Sequence, residues 1–319
     1  VKNLKEVEDN IGMDSILQLE GVTKTFTDVE AVKNVSFSVK RGEIFGFLGP
    51  NGAGKTTTIR TIMGIIAPDK GKISFCFDGE AGHRLAVQED KKKVGYLPEE
   101  RGIYSTTKVM ETILYFADLK GADLQQAEKD AREWLLKLDL ADYQDKKIEE
   151  LSKGMQQKIQ FIIAVIHRPQ LVIFDELFSG LDPVNQELFK EIIKELRDQG
   201  TTVLLSSHRM NLVEELCDRI FLINKGQKVL YGSLDKIKDD FGVKKVWIRY
   251  RGEKKIKPSW PEIKDFTQDK NEICFTLPKG VKPGELLSQV LQDLEIEEIA
   301  VNKLSLHDIF IATVGDDKR

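Results

Sequence analysis

The sequence predicts an α/β core followed by a smaller α+β domain. Three observations carry that prediction. Short β-rich runs alternate with helical stretches from Ile16 to about Leu234, the pattern of strands joined by helical crossovers. A glycine-rich turn, 49–54, stands between a strand-like run and a helical one. After Gly232 the texture changes to alternating runs that read as exposed strands.

Residues 1–14 read as a polar lead-in, with Val1 and Met13 both open as the start. Strands are expected at 35–39 and 44–48, and a helix from Lys55 to about Ile65. The apolar run 171–174 suits a parallel strand buried on both faces. A helix should occupy 183–197, with Pro183 near its start and Gly200 closing it. Further strands are expected at 203–206 and 220–223. Past a boundary near Asp240, strands at 244–251, 272–277 and 296–301 accompany helices at 283–294 and 306–314. A polar stretch with Pro258 and Pro261 interrupts them. The expected division is a lead-in 1–14, a core 15–240 with a helical subdomain at about 100–165, and an accessory domain 241–319.

The chain of 319 residues is 41% hydrophobic and 31% charged, enough to build cores and too apolar for a disordered chain. A net charge of -4 argues against a nucleic-acid coat, so no nucleic-acid partner is expected. The longest apolar candidate, 161–166, stops at His167-Arg168-Pro169, far short of the ~20 residues a membrane span needs. The first residues lack the apolar stretch of a secretory signal. Cys76, Cys217 and Cys274 form no CxxC pair and read as thiols of a reducing compartment. These features together imply a soluble, cytosolic protein.

Gly49-Pro50-Asn51-Gly52-Ala53-Gly54-Lys55-Thr56 fits GxxxxGK[ST], with Thr57 next in line. The glycines let backbone N–H groups converge on phosphate oxygens, and the helix N-terminus favours the anion. Lys55 reaches the β- and γ-phosphates in such a loop, and the Thr56 hydroxyl ligates Mg²⁺. The bland alternative is an ordinary glycine-rich turn, which the strand–turn–helix context disfavours. Leu171-Val172-Ile173-Phe174-Asp175-Glu176 is its natural partner. An Asp ending an apolar strand is costly unless it faces a cation or hydrogen bonds, and strand ends are where open α/β sheets bind ligands. Asp175 is therefore expected beside Mg²⁺, and Glu176 beside the attacking water.

With these motifs in place, residues 16–235 resemble the ATP-binding subunit of an ABC transporter, a P-loop NTPase. The resemblance makes Phe26 the aromatic that stacks on adenine; by itself it reads as a core aromatic. Leu151-Ser152-Lys153-Gly154-Met155 is similar to the family's LSGGQ signature, which closes over the γ-phosphate held by the opposite subunit. Ser152 would supply a hydroxyl and Gly154 a backbone N–H. Asp182, in Ser179-Gly180-Leu181-Asp182, would lie in the loop that crosses the dimer interface, and His208 would contact the γ-phosphate. His83, His167 and His307 match nothing and read as structural.

Three departures stand out. Glu99, after Gly95-Tyr96-Leu97-Pro98, replaces the usual Gln and still offers Mg²⁺ an oxygen. Lys153 and Met155 replace the usual Gly and Gln of the signature, and Leu177 replaces a common Pro. The last 80 or so residues, notably Leu306-His307-Asp308-Ile309-Phe310-Ile311, resemble an accessory domain of bacterial ABC ATPases that serve ABC-2-type permeases.

The resemblance implies an ATP- and Mg²⁺-dependent ATPase, peripheral on the inner face of the cell membrane. It would work as a homodimer, or paired with a related ATPase subunit, and drive a separate permease, with export favoured. The rival is a soluble ATPase of the same superfamily acting in translation or nucleic-acid maintenance. The translation type carries two phosphate loops, the chromosome type a long coiled coil between its motifs, and the repair type zinc cysteines. This sequence has one loop, no sustained heptads and no such cysteines.

Overall fold

A computed structural model describes residues 14–78, 82–86, 88–100, 102, 105–252, 263–281, 284 and 294–315. The lead-in, the stretch with Pro258 and Pro261 and nearly all of the expected helix 283–294 lie outside these. The described residues divide into two compact units between Gly232 and Ser233. That division precedes the expected Asp240. Helix α7 (Leu234–Phe241) belongs with the later unit, where it packs against α8 (Leu306–Gly315).

The first unit carries two sheets. In one, β9 (Arg219–Asn224), β3 (Ile44–Leu48), β8 (Thr202–Ser207), β7 (Leu171–Asp175) and β6 (Val94–Leu97) run parallel in that order. β10 (Gln227–Ser233) lies at the edge beside β9. Every residue of β3, β7 and β8 is buried, as parallel strands covered on both faces require. Because the strands are parallel, the segments that follow β3, β7 and β8 all leave from one edge. Topology thus brings the distant motifs together: Leu48 pairs with Ser207, and Asp175 with Ser206.

The other sheet is antiparallel, in the order β2 (Val29–Lys40), β1 (Ser15–Phe26), β4 (Lys70–Phe75), β5 (Arg84–Leu85). Phe37 on β2 joins the two sheets, its ring centroid 5.4 Å from Phe45, 5.5 Å from Phe47 and 5.0 Å from Phe221. Helix α1 (Lys55–Ile62) ends sooner than expected, because Gly64 turns left-handed at φ 61° and takes the chain out of the helix. Helices α2 (Val109–Leu119), α3 (Leu124–Lys137) and α4 (Lys153–Val165) pack together between β6 and β7 in sequence. α5 (Pro183–Asp198) and α6 (Met210–Leu216) flank β8. Among the described residues no helix is long and apolar enough to cross a membrane.

The later unit holds an antiparallel sheet in the order β12 (Lys264–Asp269), β13 (Glu272–Leu277), β11 (Lys244–Tyr250), β14 (Ile296–Lys303). Val246, Ile248, Tyr250, Ile273, Phe275 and Leu277 alternate along the two central strands and form its core.

Candidate nucleotide site

The loop after β3 is shaped by close backbone approach. A Cβ on Gly49 would strike the Ile223 carbonyl, and one on Gly54, whose φ is 107°, would strike that of Ala31. Glycine is therefore required at both positions. Gly226 N–H donates to the Ala53 carbonyl at 2.9 Å, tying the loop to the turn after β9. Ala31, Asn51, Gly52, Gly54, Lys55, Thr56, Thr57, Glu99 and Glu176 line a cavity of about 330 Å³ at the start of α1. Lys55 is 6% exposed and donates through Nζ to the Gly49 carbonyl at 2.9 Å. The same Nζ lies 3.4 Å from Glu176 Oε1.

Asp175 and Glu176 follow from β7. Asp175 is fully buried, and the Ser206 hydroxyl donates to its Oδ1 at 2.7 Å. Burial pushes its carboxyl up, the Ser206 and Thr56 hydroxyls pull it down, and the charges of Glu99 and Glu176 push it up again. Glu176 sits at φ 56°, a left-handed conformation that costs a non-glycine residue about 1–3 kcal/mol. Its N–H donates to the Ser206 carbonyl at 3.1 Å and its carbonyl accepts from Ser179 N–H at 3.0 Å, so the strained turn is held on both sides. The turn aims the carboxylate at Lys55 on one side and His208 on the other: His208 Nδ1 is 2.9 Å from Oε2.

Two carboxylate oxygens here, Asp175 Oδ2 and Glu176 Oε1, are buried without a hydrogen-bond partner among the described residues, and Oε1 has the Lys55 ammonium at 3.4 Å as its counter-charge. A buried anionic oxygen such as Asp175 Oδ2 wants a cation. With the Thr56 hydroxyl and Glu99 at the same place, the donors are all oxygen, the set that suits Mg²⁺.

Other expected residues lie elsewhere. None of Ser152, Gly154, Asp182, Phe26 or His208 lines the cavity around Lys55. Phe26 is 43% exposed at the β1–β2 hairpin, with Lys24 Nζ 5.5 Å from its ring centroid, so it is not a core aromatic. Ser152 caps α4, its hydroxyl accepting from Met155 N–H at 3.3 Å. Asp182 caps α5, accepting from Asn185 N–H at 2.9 Å. Leu177, where the family commonly has Pro, is fully buried, and its carbonyl accepts from the Gln157 side chain. Sequence reasoning assigned no role to Ser206, the hydroxyl that holds Asp175. Its signal was a polar pair, Ser206-Ser207, ending an apolar strand, but only the β7–β8 register reveals which carboxylate it meets.

Comparison with known proteins gives the family. A family model described as ABC transporter matches residues 32–179, and one described as ATP-binding protein DrrA1-3-like, C-terminal domain, matches 232–314. The ABC transporter ATP-binding protein YhaQ of Bacillus subtilis is 41% identical over 300 residues, 94% of this chain and 99% of YhaQ. The linearmycin resistance ATP-binding protein LnrL of the same organism is 37% identical over 220 residues, 68% of this chain and 69% of LnrL. A solved structure of an ATP-binding subunit of an ABC transporter superposes with a TM-score of 0.65 at 31% identity, covering 72% of this chain and 94% of that one. The chain therefore belongs to the ABC transporter ATP-binding proteins and is the ATP-hydrolysing subunit of a transporter.

Proposed function

We propose that two copies of this chain, or one copy and a related ATPase subunit, close around two ATP·Mg²⁺ and drive an ABC-2-type permease on the inner face of the cell membrane. Lys55 and the backbone N–H groups of 51–57 bind the phosphates, and Phe26 stacks on the adenine. Thr56, Asp175 and Glu99 would hold Mg²⁺, which supplies neutralisation of the charge spread over the phosphate oxygens. Glu176 is the base. Once Lys55 turns to the phosphates, Oε1 is released to accept the proton of the attacking water. His208, with its proton on Nδ1, donates to Oε2 and fixes the direction of that carboxylate.

The signature segment of one copy would complete the site of the other through Ser152 and the N-terminus of α4, and Asp182 would lie at the boundary between copies. Gly154 supports this. Its backbone is helical, a Cβ there would meet nothing within 4 Å, and glycine in a helix costs up to about 1 kcal/mol. Nothing among the described residues requires a glycine there; a partner approaching that face would. The LnrL name and the DrrA-like domain favour export over import.

The observation that carries the reading is Glu176 held in a strained turn between Lys55 and His208. Glu176→Gln keeps shape and burial but removes the base. It should retain ATP affinity while turnover falls by about 10²–10⁴. Turnover within threefold of the wild type would refute the assignment.

A further inference from the structure

The two edges of the later unit's sheet differ. β12 is a kinked edge: its pairing with β13 shifts between Lys264 and Thr267, and Asp265 sits at φ 52°. Such irregularity guards an edge against pairing. β14 is eight residues long and keeps register with β11 from Lys303 to Glu298. Ile299 lies opposite Ile248 and Val301 opposite Val246, so both face the core side. Ile248 and Val246 are fully buried, whereas Ile299 is 41% and Val301 38% exposed. Apolar side chains on an open, regular edge are what another strand would cover.

We propose that this edge pairs with itself in a second copy of the chain, β14 against β14, antiparallel about a two-fold axis at Ala300. A two-fold axis normal to the sheet keeps each face continuous, so opposed residues must share a face. Centring on Ala300 sets Ile299 opposite Val301 and Glu297 opposite Lys303, each twice. Sliding by two residues would set Glu297 against Val301, or Ile299 against Lys303. Only the Ala300 register matches apolar with apolar and acid with base. Glu297 has no ion pair among the described residues, whereas Glu298, on the other face, already pairs with Arg249 at 3.3 Å. Lys303 lies 2.5 Å from Asp239 and has the donors to take a second carboxylate. The contact uses none of the nucleotide-binding residues, and it stands or falls without ATP.

An eight-residue strand pair is small, so the full-length chain is best trapped by disulfide formation without nucleotide. In a Cys274→Ser background, Ala300→Cys places two thiols on the axis. Opposed Cα atoms about 4.5–5.5 Å apart fall within disulfide range. Asn302→Cys is the control, because its mate would lie about four residues away, roughly 13 Å. With copper phenanthroline as oxidant, Ala300→Cys should form covalent dimer at least about tenfold faster than Asn302→Cys. Asn302→Cys mixed with Glu298→Cys should cross-link as a heterodimer. Glu297→Lys or Lys303→Glu alone should slow the Ala300→Cys reaction, and the two together should restore it. Equal rates for Ala300→Cys and Asn302→Cys would overturn the proposal. So would a charge swap that restores nothing, since loss of the Asp239 pair alone would then explain the single variants.

Discussion

Two regions of the first unit handle polar groups in opposite ways. At the edge where β3, β7 and β8 end, the side chains are gathered, buried and under-satisfied: Asp175 is fully buried with one oxygen bare, and Glu176 is strained at φ 56°. At the start of α4 the groups are exposed and at rest, with Ser152 capping its own helix and open space around Gly154. The first region bears the cost of a reaction centre, in burial and backbone strain. The second forgoes packing it could have had. Under the proposed function, the first region is one half of a site and the second the half that completes the site of another copy.

Variants that touch one region should leave the other intact. Among residues that act through a neighbour, the largest effect is expected at Ser206→Ala, which removes the 2.7 Å hydrogen bond to Asp175. A hydrogen bond to a charged group contributes about 1.5–3 kcal/mol, so turnover should fall roughly 10- to 100-fold. Steady-state rates titrated with Mg²⁺ and Mn²⁺ would show the loss as a weakened metal dependence, and an unchanged titration would detach Ser206 from the metal site.

Gly154→Ala should separate the two regions most cleanly. Denaturant unfolding should show unchanged or higher stability, by up to about 1 kcal/mol, while ATP turnover falls about tenfold. Turnover that survives intact would mean the glycine serves no approaching surface.

An effect on stability, with none expected on turnover, concerns His167, just past the end of α4. Burial, aided by the Lys120 charge, pushes its imidazole down to about 4. The unfolded chain then binds a proton first, so this residue's contribution is full above pH 6.5 and is lost as pH falls towards 4. The total is about 3 kcal/mol, and His167→Gln should flatten that part of the stability–pH curve. A slope unchanged by the substitution would show another group to be responsible.

How much of this was legible in the sequence follows from the range of each signal. The loop at Gly49 and the run ending at Asp175 announce themselves locally, and β3 and β7 read as buried strands because parallel strands are apolar throughout. β1 was legible as a strand-like run after Met13 but without bounds, since its pairings shift register at several points around Gly21 and its alternation breaks with them. β12 was lost in a polar context, having only half-buried Phe266 and Gln268 on its inner face. At the site, the roles that depend on one residue's neighbours in sequence were readable. The Ser206–Asp175 bond and the left-handed turn at Glu176 were not, because both arise from strand register rather than from any local pattern.

The central claim is that the gathered edge of one chain and the open face of another make one site. Lys55→Ala damages the first, and Ser152→Arg blocks the second. Each variant alone should be nearly inactive, having two defective sites. Mixed in equal amounts, they form heterodimers in which one site carries both lesions and the other carries neither. With random association and independent sites, hydrolysis should return to roughly a quarter of the wild-type rate, with trapped nucleotide rising in parallel. Heterodimers confirmed by gel filtration that neither trap nor hydrolyse ATP would contradict the account, as would a Lys55→Ala chain that turns over normally by itself.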